Sequence, residues 1–473
     1  MKRIGWWACS FLIILSLVTA ASAQSSKANV SVLFSFPCDQ SGTCPDGYFP
    51  VSLIEGIDGN FYGVAVGGGT GMNAQGTVYK ITPSGQFSVL YSFAERPDGS
   101  LPFGASPETV IQGTDGFLYG TTLVDGAFGF GTAFKLTTSG VITDLHDFCS
   151  AQFCADGAYP SFLVQALDGN FYGSTGPSGA PADILYRLSP SGTFKVLHTF
   201  DSKGQLDGGG TFGFTQAADG NFYGTTVAGS QNTPFNSVFR FAPATGAYEI
   251  LHAFDWPNIA QSGLVMASNG ELFGLQTNSN LYQISTKGVY REIGPLSSTQ
   301  YADGHILQAS DGNLWGDFQG GDCGDQGMVF AATTAGSALQ DLLFNCNTDG
   351  QQPERIFQAA DGKFYGVTSG SGVATNDSIA NGTIWSIDAG LLPPRPNVVN
   401  LFPTKGAVGT KVLLQGAHFV GTTAVTFNGV SATFSLLTAN YISVTVPSGA
   451  KTGKIAVTNA GGTTTSTKPF AVQ

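Results

Sequence analysis

The sequence predicts an all-β protein in which a seven-bladed β-propeller is followed by a small β-sandwich. Three observations carry this prediction. A six-residue motif recurs seven times between residues 58 and 366, and the chain holds 65 glycines and 36 phenylalanines although only 11% of its residues are charged. Beyond residue 390 the motif stops, and a proline-rich stretch leads into another series of short strands. Short aromatic strands joined by tight turns explain this composition, whereas disordered chains favour charge over aromatic residues.

The repeated motif marks one turn and one strand of each repeat. Its copies are DGNFYG (58–63), DGFLYG (115–120), DGNFYG (168–173), DGNFYG (219–224), NGELFG (269–274), DGNLWG (311–316) and DGKFYG (361–366). Asp-Gly forms turns because glycine accepts a positive φ and aspartate bonds nearby backbone. Three further strand-like segments accompany each copy, and no segment shows a sustained helical period. Each repeat is therefore a four-stranded antiparallel meander, with strands A to D in chain order.

The two ends of the repeat array complement each other. The last copy stops after its third strand, near Gly390, while a spare fourth strand, VSVLFSF (30–36), precedes the first motif. If residues 30–36 pair with the strand around 382–388, every sheet has four strands and no edge is left open. An open β-solenoid is the alternative, but it leaves residues 30–36 unexplained. The sequence therefore favours a closed propeller over residues 24–390.

Both parts of the chain resemble known families. The string DGNFYG, with GTVYKITPSG (76–85) and VLYSF (89–93), is similar to the GloVer tandem repeat of secreted bacterial proteins, over about residues 30–390. Residues 391–397 (LLPPRPN) form a proline-rich linker of the kind that separates domains. Residues 398–473 resemble an immunoglobulin-like IPT/TIG domain, marked by Pro403, a Gly-x-x-Gly-Thr stretch and a Gly-x-x-Phe stretch. That resemblance implies a spacer or an adhesion module.

The N-terminus has the features of a secretory signal peptide over residues 1–23. A basic start precedes an apolar run from Ile4 to Ala20, and Ala-Ser-Ala at 21–23 is a small-x-small cleavage pattern. A transmembrane anchor is the alternative, but the apolar core is shorter than the roughly 20 residues that a spanning helix needs. We therefore expect a secreted, periplasmic or cell-surface monomer that begins at Gln24 and does not insert into the membrane.

The charge and the motifs of the sequence exclude several classes of function. The formal net charge of −12 argues against nucleic acid as a partner, because nucleic-acid binding needs a basic face. His146, His198 and His252 occupy the same position of strand D in three repeats, which predicts a structural role rather than a zinc site. No Gly-x-Ser-x-Gly motif precedes a helix, and the glycine-rich runs lack the lysine of a phosphate-binding loop.

The meander sorts its connections onto two faces. The A–B and C–D turns share one face, here called the framework face, and they are short and repetitive. The B–C and D–A connections share the other, here called the loop face, and they are long and irregular. Binding residues tend to lie on variable loops that a rigid scaffold holds, so any site is expected on the loop face.

The six cysteines beyond the signal peptide fit an oxidising compartment. Sequence alone allows 15 pairings, but the meander brings together three local pairs. The expected disulfides are Cys38–Cys44, Cys149–Cys154 and Cys323–Cys346. All three would brace the loop face.

Two sets of residues on the loop face are candidates for binding. An Asp-Gly pair precedes strand A in six repeats, at Asp46, Asp98, Asp156, Asp207, Asp303 and Asp349. These carboxylates could ring the channel mouth and hold a cation such as calcium, or each could simply bond its own turn. The second set is aromatic and could stack on sugar rings or fold back onto the sheets: Trp256, Tyr48, Phe103, Tyr159 and Tyr301.

The sequence favours a non-catalytic binding or adhesion propeller that recognises a glycan, peptide or protein. No cofactor is expected apart from that cation. The alternative is a lyase or glycan-active enzyme similar to streptogramin-lyase-like propellers, which are expected to use a histidine and an acidic residue near the channel. His305, which follows the Asp303-Gly304 turn, is the best-placed histidine for such chemistry. A purely structural surface protein is a third alternative.

Overall fold

The computed structural model describes residues 29–176, 183–200, 208–227, 236–255, 257–296, 304–320, 327–345, 347–370 and 378–473. The predicted signal peptide lies outside these residues. Apart from two short 3-10 turns, Gln152–Cys154 and Thr277–Ser279, the regular elements of the described residues are strands. The all-β prediction is confirmed. None of the described residues forms a helix long and apolar enough to cross a membrane.

Between Val30 and Ile387 the described strands form seven four-stranded antiparallel sheets, numbered here in chain order. Sheet 1 is β2 (Tyr48–Glu55), β3 (Phe61–Gly67), β4 (Thr77–Ile81) and β5 (Phe87–Ser92); sheet 2 is β6 (Ala105–Gln112), β7 (Leu118–Val124), β8 (Thr132–Leu136) and β9 (Ile142–Asp147); sheet 3 is β10 (Pro160–Gln165), β11 (Phe171–Thr175), β12 (Ile184–Leu188) and β13 (Phe194–Thr199); sheet 4 is β14 (Gly209–Gln216), β15 (Phe222–Val227), β16 (Asn236–Ala242) and β17 (Ala247–Phe254).

Sheet 5 is β18 (Val265–Met266), β19 (Leu272–Gln276), β20 (Asn280–Ile284) and β21 (Tyr290–Pro295); sheet 6 is β22 (Ile306–Gln308), β23 (Leu314–Phe318), β24 (Met328–Ala332) and β25 (Ala338–Leu343); sheet 7 is β26 (Gln351–Gln358), β27 (Phe364–Gly370), β28 (Ser378–Ile387) and β1 (Val30–Asp39). The first strand of each sheet in this order is strand A of the meander. The repeated four-stranded meanders are those of a β-propeller.

The first strand of the chain is the outer strand of sheet 7. β1 runs antiparallel to β28, with Val30 opposite Ile387. Its phenylalanines then pack against sheet 1, because the ring of Phe34 stacks on that of Phe87 with centroids 3.9 Å apart. Phe36 is fully buried. This strand therefore joins the beginning and the end of the repeat array.

The repeated motif is architectural. In sheet 3 the carboxylate of Asp168 accepts hydrogen bonds from the backbone N–H of Asn170 and from the hydroxyl of Tyr172, both within 3.0 Å. The motif's last residue, Gly173, lies under the ring of Tyr186, which a Cβ atom would approach to 2.3 Å. Side chains at this glycine would thus collide with strand C. The same hydrogen bond, donated by the motif's tyrosine to its aspartate, recurs in four other sheets.

A belt of side-chain oxygens, from five glutamines and one glutamate, joins neighbouring sheets at the end of strand A. In each case a side-chain oxygen accepts, at 2.7–3.2 Å, a hydrogen bond from a backbone N–H in the A–B turn of the preceding sheet. The belt residues are Gln112, Gln165, Gln216, Gln308, Gln358 and Glu55. Glu55 of sheet 1 bonds Ala360 of sheet 7, so the belt runs across the point of closure. It is interrupted in sheet 5, where Met266 takes the glutamine position.

The C-terminal domain is a β-sandwich. One sheet is β29 (Asn397–Phe402), β31 (Lys411–Ala417), β35 (Tyr441–Thr445) and β34 (Phe434–Thr438), and the other is β33 (Val430–Ser431), β32 (Ala424–Phe427), β36 (Ile455–Asn459) and β37 (Gly462–Thr465). A short parallel pair, β30 (Lys405–Gly406) and β38 (Ala471–Val472), lies beside them. The core between the sheets is built from alternating residues such as Val412, Leu414 and Ile442.

This domain is seated on the framework face of the propeller. The hydroxyl of Tyr441 donates to the backbone carbonyl of Gln165 in sheet 3 at 2.7 Å. The side chain of Gln415 donates to the belt residue Gln216 in sheet 4 at 2.9 Å. At the interruption of the belt, Asn400 and Lys468 donate to the backbone carbonyls of the sheet 4 turn, at 3.0 and 2.8 Å.

The linker contacts a different side of the same face. The hydroxyl of Ser310, in the A–B turn of sheet 6, donates to the carbonyl of Leu392 at 2.7 Å. Pro394 and Pro396 are buried. Because sheet 6 and sheets 3 and 4 lie on different sides of the ring, the linker and domain together span the framework face. The domain is thus a packed part of the propeller in addition to the spacer that its family resemblance implies.

Candidate functional site

Two of the three expected disulfides lie within the described residues, and both are present. Cys38 is bonded to Cys44, and Cys149 to Cys154. Each closes a short D–A connection on the loop face. Cys323 and Cys346, the third expected pair, lie outside the described residues.

The described Asp-Gly aspartates mostly serve their own loops. Asp98 accepts from the backbone and side chain of Ser100, and its hydrogen bond to the Ser100 hydroxyl lowers its pKa. Asp156 accepts three hydrogen bonds from its own D–A loop, and Asp349 accepts from Asn345 and Thr348 of its own.

Burial raises the pKa of Asp46, another of these aspartates. Asp207 and Asp303 lie outside the described residues. Within the described part of the chain, no three His, Cys, Asp or Glu side chains gather into a metal-binding group.

The predicted loop aromatics that the structure describes fold back onto the propeller. Tyr48 covers the backbone of Gly67, where a Cβ atom would lie 2.1 Å from its ring. Phe103 packs edge-on against Tyr91, and Tyr159 packs edge-on against Phe130. Trp256 and Tyr301 lie outside the described residues.

Three other phenylalanines of the loop face are exposed, and the sequence analysis missed them. Phe49 is 41% exposed, Phe128 is 50% exposed and Phe153 is 79% exposed. Phe128 and Phe153 belong to connections of sheets 2 and 3, and Phe49 is the second residue of strand A of sheet 1. Phe153 lies inside the loop that the Cys149–Cys154 disulfide closes, with a φ of 58°. A phenylalanine in so short a closed loop has little room to fold back onto the propeller. The position of Phe153 between two nearby cysteines is visible in the sequence and could have identified it.

The three repeated histidines lie on the outer rim. Each stacks on an aromatic ring of the next sheet: His146 on Phe194 at 3.8 Å, and His198 and His252 on tyrosines at 3.9 Å. They therefore help to join adjacent sheets.

The inner wall of the propeller carries a polar group of a different kind. His305, next to strand A of sheet 6, donates its backbone N–H to Oδ1 of Asp317 at 2.7 Å. The other oxygen of Asp317 accepts the backbone N–H of Ile356 in sheet 7 at 3.1 Å. Asp317 is fully buried, so one carboxylate fastens the inner strands of two sheets together.

The side chain of His305 is fixed by the same network. Its Nδ1 lies 3.7 Å from Asp317 and accepts a hydrogen bond from the backbone N–H of Arg355 at 3.3 Å. The neutral ring that accepts this bond carries its proton on Nε2. Its side chain is 35% exposed.

Arg355 and Glu108 continue the group around the channel. Nε of Arg355 donates to the carbonyl of Val51 in sheet 1 at 3.3 Å. Glu108, on strand A of sheet 2, has a raised pKa because of burial, which the positive charge of Arg355 partly offsets. The residues thus form one continuous group from sheet 6 through sheets 7 and 1 to sheet 2, in which Glu108, His305 and Arg355 are partly exposed and Asp317 is buried behind them. We call Glu108, His305, Asp317 and Arg355 the channel group.

Comparison with protein families finds a match for each of the two parts of the chain. Residues 49–288, just over half of the chain, match the Gloeobacter/Verrucomicrobia repeat. The chain belongs to this repeat family. Residues 396–472 match the IPT/TIG domain, so the predicted C-terminal domain is confirmed. A comparison with curated proteins finds no match at the level of sequence.

Three solved structures resemble this chain at low sequence identity. A fungal alcohol oxidase of the AA5 family, in complex with copper, matches with a TM-score of 0.53 at 14% identity, over 92% of this chain and 98% of that one. The extracellular domain of a hybrid two-component system from B. thetaiotaomicron matches with a TM-score of 0.49 at 12% identity, over 90% of this chain and 52% of that one. A gluconolactonase from Xanthomonas campestris gives 0.41 at 12% identity, over 78% and 92%.

Three members of the channel group, Asp317, His305 and Arg355, depart from the family repeat. Asp317 directly follows its motif, where the other six copies have Val64, Thr121, Ser174, Thr225, Leu275 and Val367. His305 and Arg355 stand three residues before the belt glutamine of sheets 6 and 7, where the other copies carry serine, threonine, glycine or phenylalanine. Sequence reasoning identified His305 but missed Asp317, Arg355 and Glu108. An alignment of the repeats against each other would have revealed Asp317 and Arg355 as exceptions, whereas Glu108 recurs as Glu354 in sheet 7.

The repeat and the IPT/TIG domain indicate a surface or binding role, and disulfides with an IPT/TIG domain are typical of extracellular proteins.

Proposed function

We propose that this is a secreted, periplasmic or cell-surface protein that binds a glycan without catalysis, through its loop face and the adjoining channel wall. The observation that carries the proposal is the channel group. Charged and imidazole side chains stand on the inner wall at positions where the repeat is otherwise mostly uncharged. Such convergent polar groups in a concave, rigid setting are the usual mark of a small-molecule or oligosaccharide site.

The composition of the surroundings favours a glycan over a peptide or a protein partner. A sugar offers hydroxyls that both donate and accept, and the channel group supplies donors from Arg355 and His305 beside the acceptor Glu108. Exposed aromatic rings at Phe49 and Phe153 add flat apolar surface on the same face. Trp256, which precedes strand A of sheet 5 in the sequence, is a further proposed contributor.

A glycan array tests this function. Wild type, Arg355→Gln and Phe153→Ala are compared, with Lys195→Gln on the exposed outer strand β13 as a matched control for charge loss. We expect selective glycan binding that both test variants weaken and the control leaves intact. Binding confined to peptides or proteins, or binding that survives both changes, contradicts the proposal.

One observation favours a second function, a lyase or glycan-active enzyme. The backbone N–H of Arg355 occupies Nδ1 of His305, which leaves Nε2 to exchange a proton with a ligand, and buried Asp317 lies 3.7 Å behind the ring. A histidine held this way beside a carboxylate is suited to general acid–base catalysis.

The test for this second function is turnover. Glycans bound on the array are incubated with the protein, and new reducing ends and unsaturated products are measured. Activity that disappears in His305→Gln, while binding persists, replaces the binding proposal with the enzyme. Unchanged glycans in every incubation exclude the enzyme.

A further inference from the structure

We propose that the glycan is acidic, and that Arg355 binds the carboxylate of a uronate residue at the channel wall. This inference rests on the proposed glycan-binding function and names the chemical class of its ligand.

The guanidinium group of Arg355 is oriented and partly unused. Nε is committed to the carbonyl of Val51, which fixes the plane of the group. The described residues give its two terminal nitrogens no hydrogen-bond partner. A planar fork of donors in a half-buried wall matches the two oxygens of a carboxylate better than it matches a hydroxyl.

The backbone of Arg355 is held in an unusual conformation. Its φ is 58°, which costs a non-glycine residue energy and persists only where neighbours impose it. The strand pairing of sheet 7 is irregular between Glu354 and Phe357, whereas in sheets 1 to 3 the corresponding irregularity comes earlier in strand A. The hydrogen bonds from Arg355 to His305 and from Ile356 to Asp317 flank the strained peptide and hold it. Asp317 is thus a positioning residue for the arginine.

Among the described residues, Arg355 forms no ion pair. Glu108 and Arg355 interact through their charges, but they do not form an ion pair within the described part of the chain. Glu108 therefore reduces the pull of the arginine on a ligand carboxylate without occupying its donors. This geometry predicts two opposite effects on affinity. Loss of Arg355 weakens the binding of an acidic ligand, whereas neutralising Glu108 strengthens that binding.

The experiment measures affinity by titration calorimetry for four uronate-bearing oligosaccharides: oligogalacturonate, oligomannuronate, heparosan and hyaluronan fragments. Each is compared with its carboxyl-reduced neutral derivative, which differs at the acid group alone. We expect wild type to bind at least one acid form at least about tenfold more tightly than its reduced form, the range of a charge-assisted bidentate contact.

The variants separate the possible outcomes. Arg355→Gln is expected to abolish the preference for the acid form, Glu108→Gln to increase affinity for it, and Lys195→Gln to change neither. Arg355→Lys keeps the charge without the fork, and it replaces Arg355→Gln if that variant fails to fold. Equal affinity for acid and reduced forms overturns this inference but leaves the glycan-binding function standing. No binding to any oligosaccharide, here and on the array, overturns both. Weaker acid binding in Glu108→Gln overturns the assignment of the carboxylate to Arg355.

Discussion

The contact between the C-terminal domain and the propeller leads to the most exact prediction. Tyr441 is buried, and its hydroxyl donates to the carbonyl of Gln165 in sheet 3 while it accepts from Gln415 at 2.9 Å. The substitution Tyr441→Phe removes that hydroxyl and little else. It therefore removes two hydrogen bonds, of which the one to Gln165 joins the domain to the propeller.

The expected cost follows from the burial of the partners. Removing one partner of a buried hydrogen bond costs about 1–3 kcal/mol, because the remaining group has no water to bond. For a domain of this size, each kcal/mol corresponds to roughly 4–8 °C in melting temperature. Tyr441→Phe should thus lower the melting transition of the IPT/TIG domain by roughly 5–20 °C, provided that the domain unfolds from the docked state.

Scanning calorimetry of the full chain measures this shift. Thr463→Val is the matched control, since its hydroxyl pairs with Thr458 at 2.8 Å on an exposed part of the same domain. We expect the control to melt within a degree or two of wild type. If Tyr441→Phe melts with the control, the domain is not held by this contact and the argument for a fixed orientation is wrong.

Four further predictions concern closure, oxidation and the loop face. Burial raises the pKa of Glu55 to about 7, so the folded state holds this proton more tightly than the unfolded chain does. Stability is therefore lost as the pH rises from about 4.5 to about 7. Glu55→Gln should have a higher melting temperature than wild type at pH 8 and the same melting temperature at pH 4. Phe36→Ala should lower the free energy of unfolding by about 3–5 kcal/mol in denaturant titrations, because a fully buried ring leaves a cavity. Non-reducing peptide mapping should find Cys323 bonded to Cys346, and a bond to any other cysteine contradicts local pairing. Trp256→Ala should weaken glycan binding by about 1–3 kcal/mol, and unchanged affinity removes Trp256 from the site.

The repeat made the fold predictable because its constraints are local. The Asp-Gly turn, the tyrosine that bonds the turn's aspartate and the glycine beneath the strand C ring all lie within one repeat, as Asp168, Tyr172 and Gly173 show. The outer position of residues 30–36 was also predictable, since the count of strands left one place to fill. Two disulfides followed from the same local reasoning.

The contacts between sheets were harder to predict from the sequence. The belt glutamine precedes the motif in five repeats, but its partner lies some 50 residues earlier in the chain, as in the bond from Thr114 to Gln165. The channel group has the same difficulty, because Asp317 acts on Ile356 of the next sheet. A sequence shows that such residues are exceptional or repeated, and the fold is needed to show which groups they join.

The seating of the IPT/TIG domain bears on where a ligand can enter. The chain leaves sheet 7 on the framework face, contacts the turn of sheet 6 through Leu392, and reaches sheets 3 and 4 through Tyr441 and Gln415. The linker and the domain thus contact different sides of the framework face. We therefore expect a ligand to reach the channel group from the loop face, which carries Phe49 and the disulfide-closed loop with Phe153. Entry from one side favours a ligand that presents an end or a branch to Arg355, because a chain that threads the propeller would have to displace the domain.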